Sequence, residues 1–191
     1  MLSQILTKQI DQLRGTFSAI SDETPVLISA RSDTVRVSVQ VVDCDRLGYL
    51  LTAVKAEQLT GDTEIDHAQI GDRISMLLER VTYLTEELTL VEKAPDLNRV
   101  LIRSAKPDQR SGGIYYYELT LDAGTSIHLE RQCYDFETHR RKIVPFTLAP
   151  NIFADLVDEF EEILGVAEVY AESSEIPSMD RDDLFEAYLL S

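Results

Sequence analysis

Apolar residues open the chain at helical spacing. Leu2, Ile5, Leu6, Ile10, Leu13, Phe17 and Ile20 share one stripe, which predicts an amphipathic helix over residues 1–20. Gly15 weakens its second half by about 1 kcal/mol relative to alanine. Ser21-Asp22-Glu23-Thr24-Pro25 ends it, because proline disfavours helix in the residue before it. The period then drops to two. Val26-Leu27-Ile28 reads as a short strand. Over residues 34–42, Val35, Val37, Val39 and Val41 fall on one face and Arg36, Ser38 and Gln40 on the other, the mark of a strand buried on one side. Asp43-Cys44-Asp45-Arg46 reads as a polar turn and residues 47–54 as the returning strand, which completes a meander.

Helical spacing returns at Ile70, Ile74, Leu77, Leu78, Val81 and Leu84, with Asp66 placed as N-cap and Gln69 as its capping-box partner. Strands are predicted at 88–91 and 99–104, on either side of Ala94-Pro95-Asp96. Residues 106–113 read as a loop on their proline and paired glycines. Residues 114–121 and 125–134 form a hairpin about Asp122-Ala123-Gly124, and 142–148 a further strand whose Pro145 demands an edge or a bulge. Ile152, Phe153, Leu156, Val157, Phe160, Ile163 and Leu164 make the last strong stripe, a helix over 151–164 with acids on its other face and Gly165 as a left-handed cap.

This order predicts an α+β fold: antiparallel β-meanders of about 3 + 5 strands, with an N-terminal, a central and a C-terminal helix packed on the sheet. Residues 1–170 are one domain, with 1–85 and 86–170 as candidate sub-units. Val26-Leu27-Ile28-Ser29-Ala30-Arg31 and Val100-Leu101-Ile102-Arg103-Ser104-Ala105-Lys106 echo one another, a weak sign of internal duplication. Residues 171–191 are an acidic linker followed by a short amphipathic helix.

Composition narrows the function. With 44% hydrophobic and 27% charged residues the chain is not disordered throughout. Its 34 acids against 18 bases give −16, which argues against a surface given over to nucleic acid or anionic lipid. No apolar run reaches the ~18 residues of a membrane span, and the N-terminus lacks the basic stretch of a signal peptide. Cys44 and Cys133 are too few for a disulfide framework, so a reducing, cytoplasmic setting is expected.

Charge is unevenly placed. Residues 1–98 carry −7, residues 99–142 carry +2, and residues 143–191 carry −11. Arg99, Arg103, Lys106, Arg110, Arg131, Arg140, Arg141 and Lys142 could face an anionic partner or pair with the chain's own acidic helix; the overall charge favours pairing.

Catalytic fingerprints are missing: there is no G-x-S-x-G, Walker A or G-x-G-x-x-G, and no zinc-ligand spacing. His128 and Cys133, five apart in one strand, point to opposite faces. His67 near Asp62, Glu64 and Asp66 reads as a solvated helix start, His139 sits in a loop, and Cys133 reads as a small core residue. No catalytic, cofactor-binding or metal-binding residue is assigned, and the expectation leans away from an enzyme. Of Tyr115-Tyr116-Tyr117 only Tyr116 leaves the face marked by Leu119 and Leu121, and one exposed aromatic is not a stacking platform.

Leu184, Phe185, Tyr188 and Leu189 give the tail a small apolar face. A helix that short is marginal alone and is expected to pack on this fold, a twin subunit or another partner. In element order, acidity and size the chain is similar to small acidic secretion-chaperone-type α+β domains, a resemblance of shape without a shared motif. It implies that partner segments are held on a helix-and-sheet surface. The leading expectation is therefore a non-catalytic protein-interaction module of chaperone or adaptor type, homodimeric, without membrane contact. The alternative is a single-stranded nucleic-acid module using the strip Arg99, Arg103, Arg110, Arg131, Arg140, Arg141 and Lys142. A small-ligand or enzyme site comes third.

Overall fold

A computed structural model describes residues 1–15, 24–60, 65–94 and 98–165. Helix α1 (Leu2–Gln12) buries Leu2, Leu6 and Ile10, while Ile5 faces solvent. The helix predicted over 1–20 thus stops at Gln12; Gly15 follows with φ +78°, a backbone that favours glycine, and Phe17 and Ile20 lie outside the described residues.

The strands β1 (Val26–Arg31), β2 (Val35–Cys44) and β3 (Tyr49–Gln58) form the expected meander. Val35, Val37, Val39 and Val41 are fully buried. Cys44 ends β2 instead of turning: it is buried, and its thiol donates to the Ile10 carbonyl at 3.2 Å. The turn comes one residue later, where the Asp45 carboxylate accepts the Leu47 and Gly48 amides, which hold its carboxyl below the usual range.

Helix α2 (His67–Arg80) starts with the predicted capping box between Asp66 and Gln69. Val81 and Leu84 are buried beyond its end. Next come β4 (Leu88–Ala94), β5 (Arg99–Ser104), β6 (Asp108–Arg110), β7 (Gly113–Asp122) and β8 (Ser126–Asp135). The loop expected at 106–113 thus holds a short strand. The strand expected at 142–148 is two, β9 (Arg140–Ile143) against β8 and β10 (Phe146–Leu148) against β3, with Pro145 at the changeover. Helix α3 (Pro150–Gly165) closes the fold. Gly165 is its last residue rather than a left-handed cap; Arg73, 4% exposed, reaches the Leu164 carbonyl from α2 and also donates to the Gly124 carbonyl.

The ten strands make one antiparallel sheet ordered β1-β2-β3-β8-β7-β5-β4, with β10, β6 and β9 beside β3, β7 and β8. Among the described residues the architecture is α+β, three helices on a largely meandering sheet. Its middle is the β3–β8 seam, Ala53–Glu57 against Ser126–Glu130. Counted outward from that seam, β1 and β5 hold equivalent places, so the two echoing sequences occupy matching strands.

Candidate interaction surface

The helices lie together on one side of the sheet: α1 against β1, β2 and α3, α3 against β2 and β3, α2 against α3 and β4. Among the described residues no helix covers the other side. What that side presents follows from the β7–β8 hairpin. Ala123 (φ 50°) and Gly124 (φ 72°) both have positive φ, the Thr125 amide donates to the Asp122 carbonyl at 3.0 Å, and Asp122 pairs with Ser126, which makes a three-residue loop of Ala123, Gly124 and Thr125. That turn fixes the register, so Ile114 faces Tyr134, Tyr116 faces Gln132 and Glu118 faces Glu130.

At the far end of the hairpin, Arg103, Ser104, Pro107, Ile114, Tyr116, Tyr134 and Arg141 line a cleft of about 210 Å³. The Arg103 guanidinium lies 5.4 Å from the centroid of the Tyr116 ring while its Nε donates to Glu118 at 2.7 Å. Tyr116 is 7% exposed; burial raises its hydroxyl pKa, opposed by the charges of Arg141 and Arg103. Arg141 sits across from Tyr134 in the β8–β9 ladder. Asp135 anchors that ladder: its carboxylate takes Lys142 Nζ at 2.8 Å and the Glu137 and Thr138 amides, which hold it far below the usual carboxyl range.

Glu118 and Glu130 are like charges directly opposite, which is unfavourable unless each is paired. Glu118 has Arg103; Glu130 accepts from Gln132 and lies 3.9 Å from His128 Nε2.

The predicted basic strip is divided and mostly neutralised. Arg99 pairs with Asp122 at 2.5 Å, Arg110 with Asp108 at 2.7 Å, Arg131 with Glu86 at 2.5 Å and Lys142 with Asp135 at 2.8 Å. Arg110 and Arg131 stand over Tyr115 and Tyr117, on the face opposite the cleft. Pairing with the acidic helix, as expected from the sequence, is not what happens. The partners lie on the same or neighbouring strands and on the segment after α2, while Glu159 and Glu162 of α3 are taken by Arg80. Lys106, Arg140 and Arg141 have no carboxylate within ion-pair distance among the described residues.

Tyr116 was expected to be exposed and solitary. It is buried beneath Arg103 on an otherwise open face, and Tyr134 and Phe136 stand nearby, their rings 6.3 Å apart and Phe136 43% exposed. Sequence reasoning missed Tyr134, Ile114 and Pro107; extending the hairpin register from the turn brings the first two together. A second groove of about 240 Å³ lies between α2 and β5, with Ile70, Val100 and His67 in its lining. Leu184, Phe185, Tyr188 and Leu189 fall outside the described residues.

No protein-family model and no curated protein matches the chain. Among solved structures it is similar to WHY1 from Arabidopsis thaliana at 10% identity, with a TM-score of 0.19 over 82% of this chain and 99% of that one. WHY3 from the same plant aligns at 11% identity and TM-score 0.20, over 84% and 100%. The plant transcriptional regulator PBF-2 aligns at 11% and 0.19, over 85% and 91%. Superpositions at that level carry no argument about this chain.

The chemistry rests on the cleft itself. It offers two guanidiniums, two aromatic rings and apolar walls. That set can hold an anionic group beside a flat apolar one. Among the described residues no cluster of His, Cys, Asp and Glu is arranged to take a metal, Cys44 and Cys133 are buried free thiols, and no helix is long and apolar enough to cross a membrane.

Proposed function

We propose that the protein is a non-catalytic interaction module of chaperone or adaptor type, working as a homodimer in a reducing, cytoplasmic setting, that holds an extended segment of a protein partner on the helix-free face of its sheet. The observation that carries this reading is the cleft of Arg103, Ile114, Tyr116, Tyr134 and Arg141, the point on that face where rings, apolar walls and an unpaired cation meet. The strands β1 and β4, which end the sheet, supply edges that an extended chain or a second copy can continue.

Panning a random peptide display library on the full-length protein tests it. Recovered peptides should bind at least about tenfold more weakly to Arg141→Glu, and should slow hydrogen exchange in β7, β8 and β9. Binders indifferent to Arg141, or a library that stays empty even when Phe185 of the tail is replaced by alanine, overturn the reading.

Single-stranded nucleic acid is the second reading, favoured by Arg103 standing over Tyr116 in the same cleft as Arg141. With a net charge of −16, binding to generic single strands should be weaker than about 1 μM at ~150 mM salt and fade as salt rises. Submicromolar affinity lost in Arg140→Glu/Arg141→Glu would put this reading first.

A further inference from the structure

We propose that the cleft receives an aromatic side chain flanked by carboxylates, and that the chain's own C-terminal segment, residues 180–190, supplies it. The proposal rests on the interaction reading above and names its occupant.

Size comes first. The cleft measures about 210 Å³, somewhat more than the ~150 Å³ cavity that accepts one benzene ring. Tyr134 offers a ring surface for offset or edge-on packing, with Ile114 and Pro107 beside it and Tyr116, covered by Arg103, in the lining beneath. Charge comes second. Arg141 brings to the cleft a guanidinium with no carboxylate partner among the described residues. It is matched to a carboxylate arriving with the ring. The sequence Asp182-Asp183-Leu184-Phe185-Glu186 places acids on both sides of Phe185, and residues 166–191 hold 7 acids against 1 base.

Reach comes third. The described chain ends at Gly165, near Thr34 and, through Arg73, close to the β7–β8 turn at Gly124. From that turn to Ile114, β7 runs about 27 Å. Residues 166–179, if extended, span up to about 46 Å, enough to bring Phe185 to the cleft of the same subunit or of a neighbour.

Hydrogen exchange on the full-length protein tests the proposal. Amides 182–188 should exchange at least tenfold more slowly than in the unstructured peptide. Arg141→Glu and Phe185→Ala should each abolish that protection. Arg141 is exposed and unpaired, so its replacement leaves the fold intact; combining Arg141→Glu with Asp183→Arg should restore protection by reversing both charges. A labelled peptide of residues 178–191 should bind full-length Phe185→Ala at least tenfold more tightly than the wild type, whose cleft is filled. Unprotected amides in the wild type, or protection indifferent to Arg141→Glu, overturn the proposal. If library peptides still bind in an Arg141-dependent way, self-docking alone falls; if none bind even to full-length Phe185→Ala, the interaction reading falls with it.

Discussion

Arg131 lies on the helix side of the sheet, 13% exposed, with its guanidinium 4.9 Å from the Tyr117 ring centroid and 2.5 Å from Glu86. The other Glu86 oxygen accepts from Ser104 Oγ at 2.8 Å, and Ser104 Oγ accepts the Tyr117 amide at 2.7 Å. Glu86 therefore satisfies two neighbours at once. Glu86→Ala should cost about 3 kcal/mol in urea unfolding, because it strands a buried cation, whereas Glu86→Gln keeps one oxygen to accept from Arg131, sets a donor NH2 against the Ser104 hydroxyl, and should cost roughly half as much. Equal losses would show that the charge, which both substitutions remove, carries the effect, and not the hydrogen bond that glutamine keeps. A different side chain sets the alkaline limit. The Tyr49 hydroxyl donates to Asp11 at 3.0 Å, and burial with that neighbour pushes its pKa up to about 12 from 10.0. The folded state therefore holds this proton more tightly than the unfolded one. Its contribution is complete below pH ~10 and is lost as pH rises from about 10 to 12. Tyr49→Phe should cost about 1 kcal/mol at neutral pH and lessen the fall in urea midpoint between pH 10 and 12, leaving the slope due to Tyr83, whose hydroxyl burial pushes up further still.

At the scale of the element, two adjacent glycines differ sharply. A Cβ on Gly113 would meet the Tyr134 carbonyl oxygen at 2.5 Å and Cys133 Sγ at 2.9 Å, where β7 begins between β6 and β8; one on Gly112 would meet nothing within 4 Å. Gly113→Ala should therefore cost about 2 kcal/mol and Gly112→Ala should lie within about 0.5 kcal/mol of wild type, read from thermal unfolding. Such close approaches are invisible in a sequence, which shows two equal glycines. What the sequence does show is periodicity over long stretches. The four valines of β2, the capping box of α2 and the apolar stripe of α3 were legible because each repeats or pairs a local signal. Short strands were not. The three residues of β6 have no room for a pattern, and β9 and β10 read as one strand because only tertiary pairing separates them at Pro145. The end of α1 was hidden for another reason: the apolar spacing runs on through Leu13, while the helix ends at Gln12. The arginines were legible as a run but not as a surface, since adjacent strand residues face opposite ways and their carboxylate partners come from other strands.

Across the whole molecule, the halves 1–85 and 86–170 share one core. Phe153, Leu156, Val157 and Phe160 of α3 pack into the same cluster as Leu2, Leu6 and Ile10 of α1 and the valines of β2. The rings of Tyr49 and Phe153 meet edge-on at 5.3 Å, and the Leu2 amide donates to Glu161 at 3.1 Å. Residues 1–85 produced alone should give the circular dichroism of an unfolded chain, and mixing with residues 86–191 should restore strand and helix signal. A folded isolated half would show that the seam joins two self-sufficient units. The same link between Leu2 and Glu161, 159 positions apart, sets a clock on biosynthesis. At about 5–20 residues per second, the ribosome takes roughly 8–32 s to deliver the helix that shelters the first one. Throughout that interval α1 can lie only on β1 and β2, with the part of its oily stripe that α3 covers still bare, which makes these residues the stretch where a holding factor bound during translation would do the most good.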